Sequence, residues 1–438
     1  MMKTDYSFKE LPFSARKHVR IYQFQQFLSQ VSLGIGIVIF ILLLQQRGFN
    51  LYDISLIMAA FSASTLLFEL PLGGLADGIG RKPVYIASLI AAIMSLTILL
   101  IFHSFIAAIC AYAILGLSRA LRSGTLDAWF VEKFRDVAPG FGTLPALAKI
   151  QFGSAVGLAM GAIFGGFLAD TLGVMLLPFG FGPYDAPLIF SIGLTALIIV
   201  YTLIFIQETS HAINVTTIKS GFSNVPFIIK DSLFYATKHQ IISILLVSTA
   251  LFSLAFFTLE TFWVPFVKPM LVGGYAVSII GIISAIHFGS MAVGAAVSAF
   301  FVTLFSGSNI KTLIFWVVLT GLSLLALAFT QNVYYFVPIF ILLNIALGAQ
   351  GAPEDSIFHD YVPDDKRSTL LSLESVVIQL GGLIGMLSLG YIAELYDIST
   401  AWILSGIIIT LIGLIYCLLP KRMANTPTVA HEKVDDEG

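Results

Sequence analysis

The chain has 438 residues, of which 58% are hydrophobic and only 11% charged, and its net charge is -2. A soluble domain carries about 25% charged residues, so this is the composition of an integral membrane protein. With no basic excess and no basic patch, nucleic acid is excluded as a partner.

Residues 1–20 are polar and basic. The apolar run after them is longer than a signal-peptide core and has no small-residue cleavage site, so it reads as a first helix. A span needs about 20 apolar residues. Run length and periodicity predict helices over 21–44, 54–75, 83–102, 105–130, 149–171 and 187–206, then over 240–267, 274–302, 312–330, 333–352, 368–396 and 400–419. The expected fold class is an all-α integral membrane protein, with twelve transmembrane helices in two pseudo-symmetric six-helix bundles. Residues 1–207 form the N-terminal bundle, 208–239 a cytoplasmic linker, 240–420 the C-terminal bundle and 421–438 a cytoplasmic tail. Within the linker, Ile228, Ile229, Ser232 and Leu233 recur at helical spacing opposite Lys230 and Asp231, which predicts a short amphipathic helix.

Positive charge alternates along the chain. Lys3, Lys9, Arg16, Lys17 and Arg20 precede helix 1, Arg81 and Lys82 follow helix 2, and Lys133 and Arg135 follow helix 4. Lys219, Lys230 and Lys238 lie in the linker, and Lys311, Lys366, Arg367, Lys421 and Arg422 continue the pattern. Arg47 and Lys268 alone fall on the other side. Both termini are therefore expected in the cytoplasm, in a multi-pass protein of the plasma or inner membrane. Cys110 and Cys417 sit in apolar runs without metal-ligand spacing and read as core residues.

Polar residues inside a membrane are costly and mark candidate sites. On helix 1, Gln23, Gln26, Gln30 and Gly34 share a face suited to a wet cavity or a helix contact. On helix 2, Ser62, Thr65 and Glu69 form a stripe; Glu69 is either protonatable or, as we favour, paired with an arginine. Helix 4 places Arg119, Ser123 and Asp127 on one face, with Arg122 a turn from Arg119. An arginine keeps its charge, so it must face water, an anion or a carboxylate. Helix 5 has Gly157, Gly161, Gly165 and Gly166, a smooth face for close packing. Helix 7 sets Glu260 beside Trp263, on a face with Ser253 and Phe257. Helix 8 carries His287 near its centre, on a stripe with Ser290, Gly294 and Ser298. Glu260 and His287 can each change charge by one proton in a transport cycle. Helix 10 aligns Asn344, Gly348, Gly351 and Asp355, and Pro353 and Glu354 are expected to interrupt it. His359, Asp360, Asp364 and Asp365 read as a solvated helix end rather than a metal site.

Between helices 2 and 3 lies Gly73-Gly74-Leu75-Ala76-Asp77-Gly78-Ile79-Gly80-Arg81-Lys82. This stretch resembles the loop signature of the major facilitator superfamily, with Gly73, Asp77, Gly80, Arg81 and Lys82 at the matching places and Gly78 where the family has a basic residue. The resemblance implies a charge relay of Asp77, Arg81 and Glu132 that latches one conformation. Helix 4 is similar to the family's fourth-helix signature and leaves open whether Arg119 or Arg122 takes the proton-coupling role. Helix 5 resembles the antiporter signature, with Ala162 in place of its proline. The loop Val362 to Thr369 looks like that of drug-exporter-like members.

No nucleotide-binding loop is visible, so energy must come from an ion gradient. The expectation is a monomeric, cofactor-free, alternating-access transporter that exports small amphipathic or drug-like compounds by antiport with protons or another coupling ion. The alternatives are a proton- or sodium-coupled importer of a metabolite and a sensor or scaffold built on a transporter fold. A membrane enzyme would need clustered metal ligands or a nucleophile dyad, and neither is visible.

Overall fold

The structure is a computed structural model that describes residues 6–72, 75–208, 230, 234–235, 237–271, 273–363 and 366–419, apart from the side chains of residues 70, 77 and 368. Gly73, Gly74, the Asp77 side chain and most of the amphipathic stretch in the linker thus lie outside the described residues. Twelve helices among the described residues are long and apolar enough to cross a membrane. They are α1 (Phe13–Gln46), α2 (Leu51–Glu69), α3 (Arg81–Ile101), α4 (Phe105–Val137), α5 (Leu144–Phe179), α6 (Asp185–Phe205), α7 (Gln240–Met270), α8 (Ala276–Leu304), α9 (Asn309–Ala328), α10 (Val333–Tyr361), α11 (Thr369–Leu395) and α12 (Ile398–Tyr416). No strand occurs among the described residues. The all-helical class read from the sequence is the observed one.

The chain groups into two compact units. Met1–Gly48, Ser64–Ser223 and Val272–Ala285 form the first; Phe49–Ala63, Asn224–Leu271 and Ile286–Gly438 form the second. In the first unit, α1 and α5 approach through small residues. A Cβ at Gly157 would sit 2.6 Å from Phe27 O, and one at Gly165 would sit 2.9 Å from the Ile35 Cα. Lipid offers no hydrophobic gain for helix association, so such backbone proximity supplies the packing. Gly166 is not on this face: its missing side chain makes room for Val277 and Ser278, at the start of α8. Serine hydroxyls tie other helices, as Ser95 donates to Ala111 O at 2.7 Å and Ser118 to Ser88 O at 2.7 Å.

The second unit repeats the device. Gly385 on α11 packs on Leu254 of α7, Gly321 on α9 packs on Gly406 of α12, and Gly348 on α10 packs on Met291 of α8. Ser298 on α8 donates to Ala349 O on α10 at 2.7 Å.

Several local expectations are corrected. The first helix begins at Phe13, directly after Pro12, which takes the cap position. Span α4 is not one continuous helix: Phe105–Arg122 ends at Ser123, and Thr125–Val137 restarts after Gly124, whose φ of 69° is left-handed. Span α10 is not interrupted, since Pro353 and Glu354 lie inside a helix that continues to Tyr361. The carbonyl that Pro353 leaves without an intrahelical donor is the local cost, and helix neighbours absorb such costs in membranes. Cys110 and Cys417 are exposed rather than core residues.

Candidate functional site

Three groups of polar side chains stand out, each within one unit. The first surrounds the glycine-rich loop. A short helix, Leu75–Ile79, runs into Gly80, whose φ is 109°, a backbone angle that glycine tolerates. Arg81 then opens α3, and its guanidinium pairs with Glu132 at 2.5 Å, joining two of the three predicted relay members. Glu208 was not anticipated. Its carboxylate accepts the Arg81 N–H at 2.8 Å and the Lys82 N–H at 2.9 Å, which satisfies donors at a helix start that have no intrahelical partner. Lys82 Nζ donates to Leu203 O at 2.9 Å, and Trp129 Nε1 donates to Gln207 O at 3.1 Å. The start of α3, the lower half of α4 and the end of α6 are thereby stitched together.

The second group lies between α1, α3 and α4. Asp127 does not tie to Arg119. The break at Ser123 and Gly124 turns it away, and Tyr22 donates to Asp127 Oδ1 at 2.6 Å. Gln26 in turn donates to the Tyr22 hydroxyl. Gln25, fully buried, donates to Ser29 at 3.2 Å and also to the Tyr85 hydroxyl. The predicted glutamine face is therefore split. Gln23 donates to Lys149 O at 3.0 Å, a helix contact, while Gln26 joins the tyrosine chain. Gln30 is half-buried and makes no hydrogen bond among the described residues. Arg119 is within electrostatic reach of Glu69 and of Arg122.

The third group is in the second unit. Ser253 and Phe257 on α7 pack against Gly381 and Gly382 of α11, while Glu260, one turn on, meets α8 instead. Its Oε1 lies 3.8 Å from His287 Nε2. The His287 side chain is 5% exposed and that of Glu260 is 35% exposed, so the acid is the more accessible member. Glu260 Oε1 and His287 Nδ1 are both buried atoms without a hydrogen-bond partner. Trp263 stacks on Phe340 with ring centroids 5.3 Å apart, and Phe340 meets His287 at 5.5 Å. Asn344, one turn beyond Phe340, is fully buried; its amide donates to Phe340 O at 2.7 Å and its Oδ1 has no partner. At the other end of α10, Tyr416 donates to Glu354 at 3.1 Å, and Glu374 and Asp355 lie within electrostatic reach of Glu354. No group of three metal-ligating side chains occurs among the described residues.

Among the described residues, twelve apolar spans, several packed through glycine and holding ionisable groups, mark a multi-pass membrane protein. The chain belongs to the major facilitator superfamily, whose family model matches residues 24–307 and 264–435. It is 23% identical over 431 residues to the uncharacterized MFS-type transporter YxaM of Bacillus subtilis (strain 168), covering 92% of this chain and 96% of the relative. Among solved structures it is similar to the nucleoside transporter NupG, with a TM-score of 0.73, 14% identity, and 92% and 99% of the two chains covered. A bacterial homologue of the human lysosomal transporter Spinster, inward-facing and occupied, gives a TM-score of 0.71 at 12% identity, covering 93% and 97%. A POT family transporter in complex with a thioalcohol-conjugated peptide gives 0.70 at 12% identity, covering 95% and 99%. As a member of this family, the chain is a transporter rather than an enzyme.

Proposed function

We propose that this transporter is a proton-coupled exporter of small amphipathic or drug-like compounds, working as a monomer by alternating access. The observation that carries the coupling is the Glu260–His287 pair, an acid and a base 3.8 Å apart inside membrane spans, each with an unpartnered buried atom. Each group changes charge by one proton, and their spacing lets the state of one bias the other. The greater exposure of Glu260 makes it the point of entry, with His287 behind it. Neither touches an arginine or lysine that would fix its charge among the described residues.

The moving bodies are residues 1–207 and 240–420, rocking as the family's parallel repeats do. Both termini face the cytoplasm of a plasma or inner membrane, in line with the lysine and arginine asymmetry. The Arg81–Glu132 pair, with Asp77, acts as the latch of one conformation. Gln26, Gln30, Glu69 and Asp127 in the first bundle, and Asn344 in the second, are the further substrate candidates.

A second reading is a proton- or sodium-coupled importer, which Ala162 favours. Helix α5 runs without a proline through this position, and the antiporter signature has one there. Purified protein in proteoliposomes, given labelled solutes with and without a proton gradient, tests both. Accumulation driven outward from the cytoplasmic face supports export. Inward accumulation selects the importer. No movement of any solute selects a sensor or scaffold.

A further inference from the structure

Span α4 carries two charges that the coupling pair does not use. Arg119 and Arg122 close the last turn of the half-helix Phe105–Arg122. At about 1.5 Å per residue, they lie roughly 21–26 Å from its Phe105 end. The hydrocarbon layer is about 30 Å thick, so both fall within it or at its margin. An arginine cannot lose its charge, and its guanidinium presents several N–H donors in a fixed fork.

Those donors are unspent. Neither guanidinium makes an ion pair or donates a hydrogen bond among the described residues. The nearby carboxylates do not meet the need. Asp127 accepts from Tyr22 at 2.6 Å, and Glu69 reaches Arg119 only electrostatically. The two cations also act on each other, which favours a shared counter-ion.

There is room for one. Arg119 is exposed, Arg122 is half-buried, and Ser123 and Gly124 after them are exposed. A Cβ added at Gly124 would meet nothing within 4 Å, so the helix break opens on free space. The half-helix that restarts there, Thr125–Val137, has no side-chain cap. Its first N–H groups add donors beside the arginines, as at other broken membrane helices.

We infer that Arg119 and Arg122 together bind the carboxylate or phosphate of the transported solute, which makes the substrates organic anions. Two parallel N–H donors on a guanidinium match two oxygens of such a group, a geometry that lysine does not reproduce. This inference rests on the transporter reading and names its substrate class. A lipid headgroup phosphate offers the same chemistry, so the test separates it from a soluble anion.

The protein is placed in phosphatidylcholine nanodiscs, and its melting temperature is followed against benzoate, succinate and inorganic phosphate at constant ionic strength. The expected result is a saturable rise with at least one probe, weakened about tenfold or more in Arg119→Gln/Arg122→Gln. Arg122→Lys, which keeps the charge, is expected to bind more weakly than wild type, and Gly193→Ala, at a position where an added Cβ meets nothing within 4 Å, is expected to bind as wild type. No saturable rise with any of the three probes overturns the inference. So does a rise that is unchanged in both arginine variants. A rise seen only on adding phosphatidylglycerol to the discs, and lost in the double variant, assigns the arginines to a lipid headgroup and overturns the substrate assignment. The readout is binding without a gradient, so loss of coupled transport elsewhere leaves this result standing.

Discussion

Gly161→Ala tests how the first unit is held together. A Cβ at Gly161 would meet the Val31 carbonyl oxygen first, and would lie 2.9 Å from both the Cα and the carbonyl carbon of Val31. Carbon atoms settle at about 3.5–4.0 Å, so α1 and α5 must separate locally by roughly 0.6 Å or more. The atoms it meets are backbone, which cannot rotate aside. Overpacking of this kind costs about 1–3 kcal/mol. Alanine also gains about 1 kcal/mol over glycine in a helix, and that gain must be removed from the comparison. Gly193 supplies the control, because a Cβ there meets nothing within 4 Å. Gly193→Ala receives the same helix gain without the clash. The melting temperatures of the two purified variants in detergent therefore differ by the packing cost alone. The expected order is Gly193→Ala at or above wild type and Gly161→Ala below Gly193→Ala by a few degrees, a shift of about 1–3 kcal/mol spread over a large chain. Equal melting of the two variants would refute glycine-mediated contact between α1 and α5.

The Arg81–Glu132 pair has an exposed carboxylate, 65% accessible, and such pairs contribute only about 0–1 kcal/mol. Glu132→Gln is therefore expected to leave the melting temperature nearly unchanged while altering transport rate; a wild-type rate would remove the latch role. Glu208→Ala strips acceptors from the start of α3, at a cost of about 1 kcal/mol by analogy with helix caps. Faster amide exchange at Arg81 and Lys82 is the expected signature, and unchanged exchange would contradict the bonds described. Single cysteines at Ser220 and Gly180 are expected to label from opposite faces of the membrane, and labelling of Ser220 from outside intact cells would reverse the topology.

The spans were legible because length and apolar composition are properties of each segment alone. What was lost concerns neighbours. Ser123-Gly124 carried a break signal, a serine and glycine pair inside a helical run, yet the apolar residues around it masked the break. That break moved Asp127 off the Arg119 face. Pro353 sent the opposite signal and was overridden, because a helix in a bundle tolerates a missing hydrogen bond. Tyr22 and Tyr85 lie within helical spans, and their hydroxyls organise the polar cluster of the first unit. Glu208 read as the first residue of a linker, and only its approach to Arg81 and Lys82 reveals its contact. Glu260 and His287 were each visible from their spacing, whereas their meeting depended on how α7 and α8 pack.

Gradient-driven accumulation by Glu260→Gln in proteoliposomes, measured beside exchange at equal pH on both sides, tests the coupling claim most directly. The account predicts that this variant loses accumulation and keeps exchange, because glutamine retains the shape of the site and cannot carry a proton. Wild-type accumulation in Glu260→Gln, together with its loss in Asp127→Asn, would contradict the account and move the coupling site to α4.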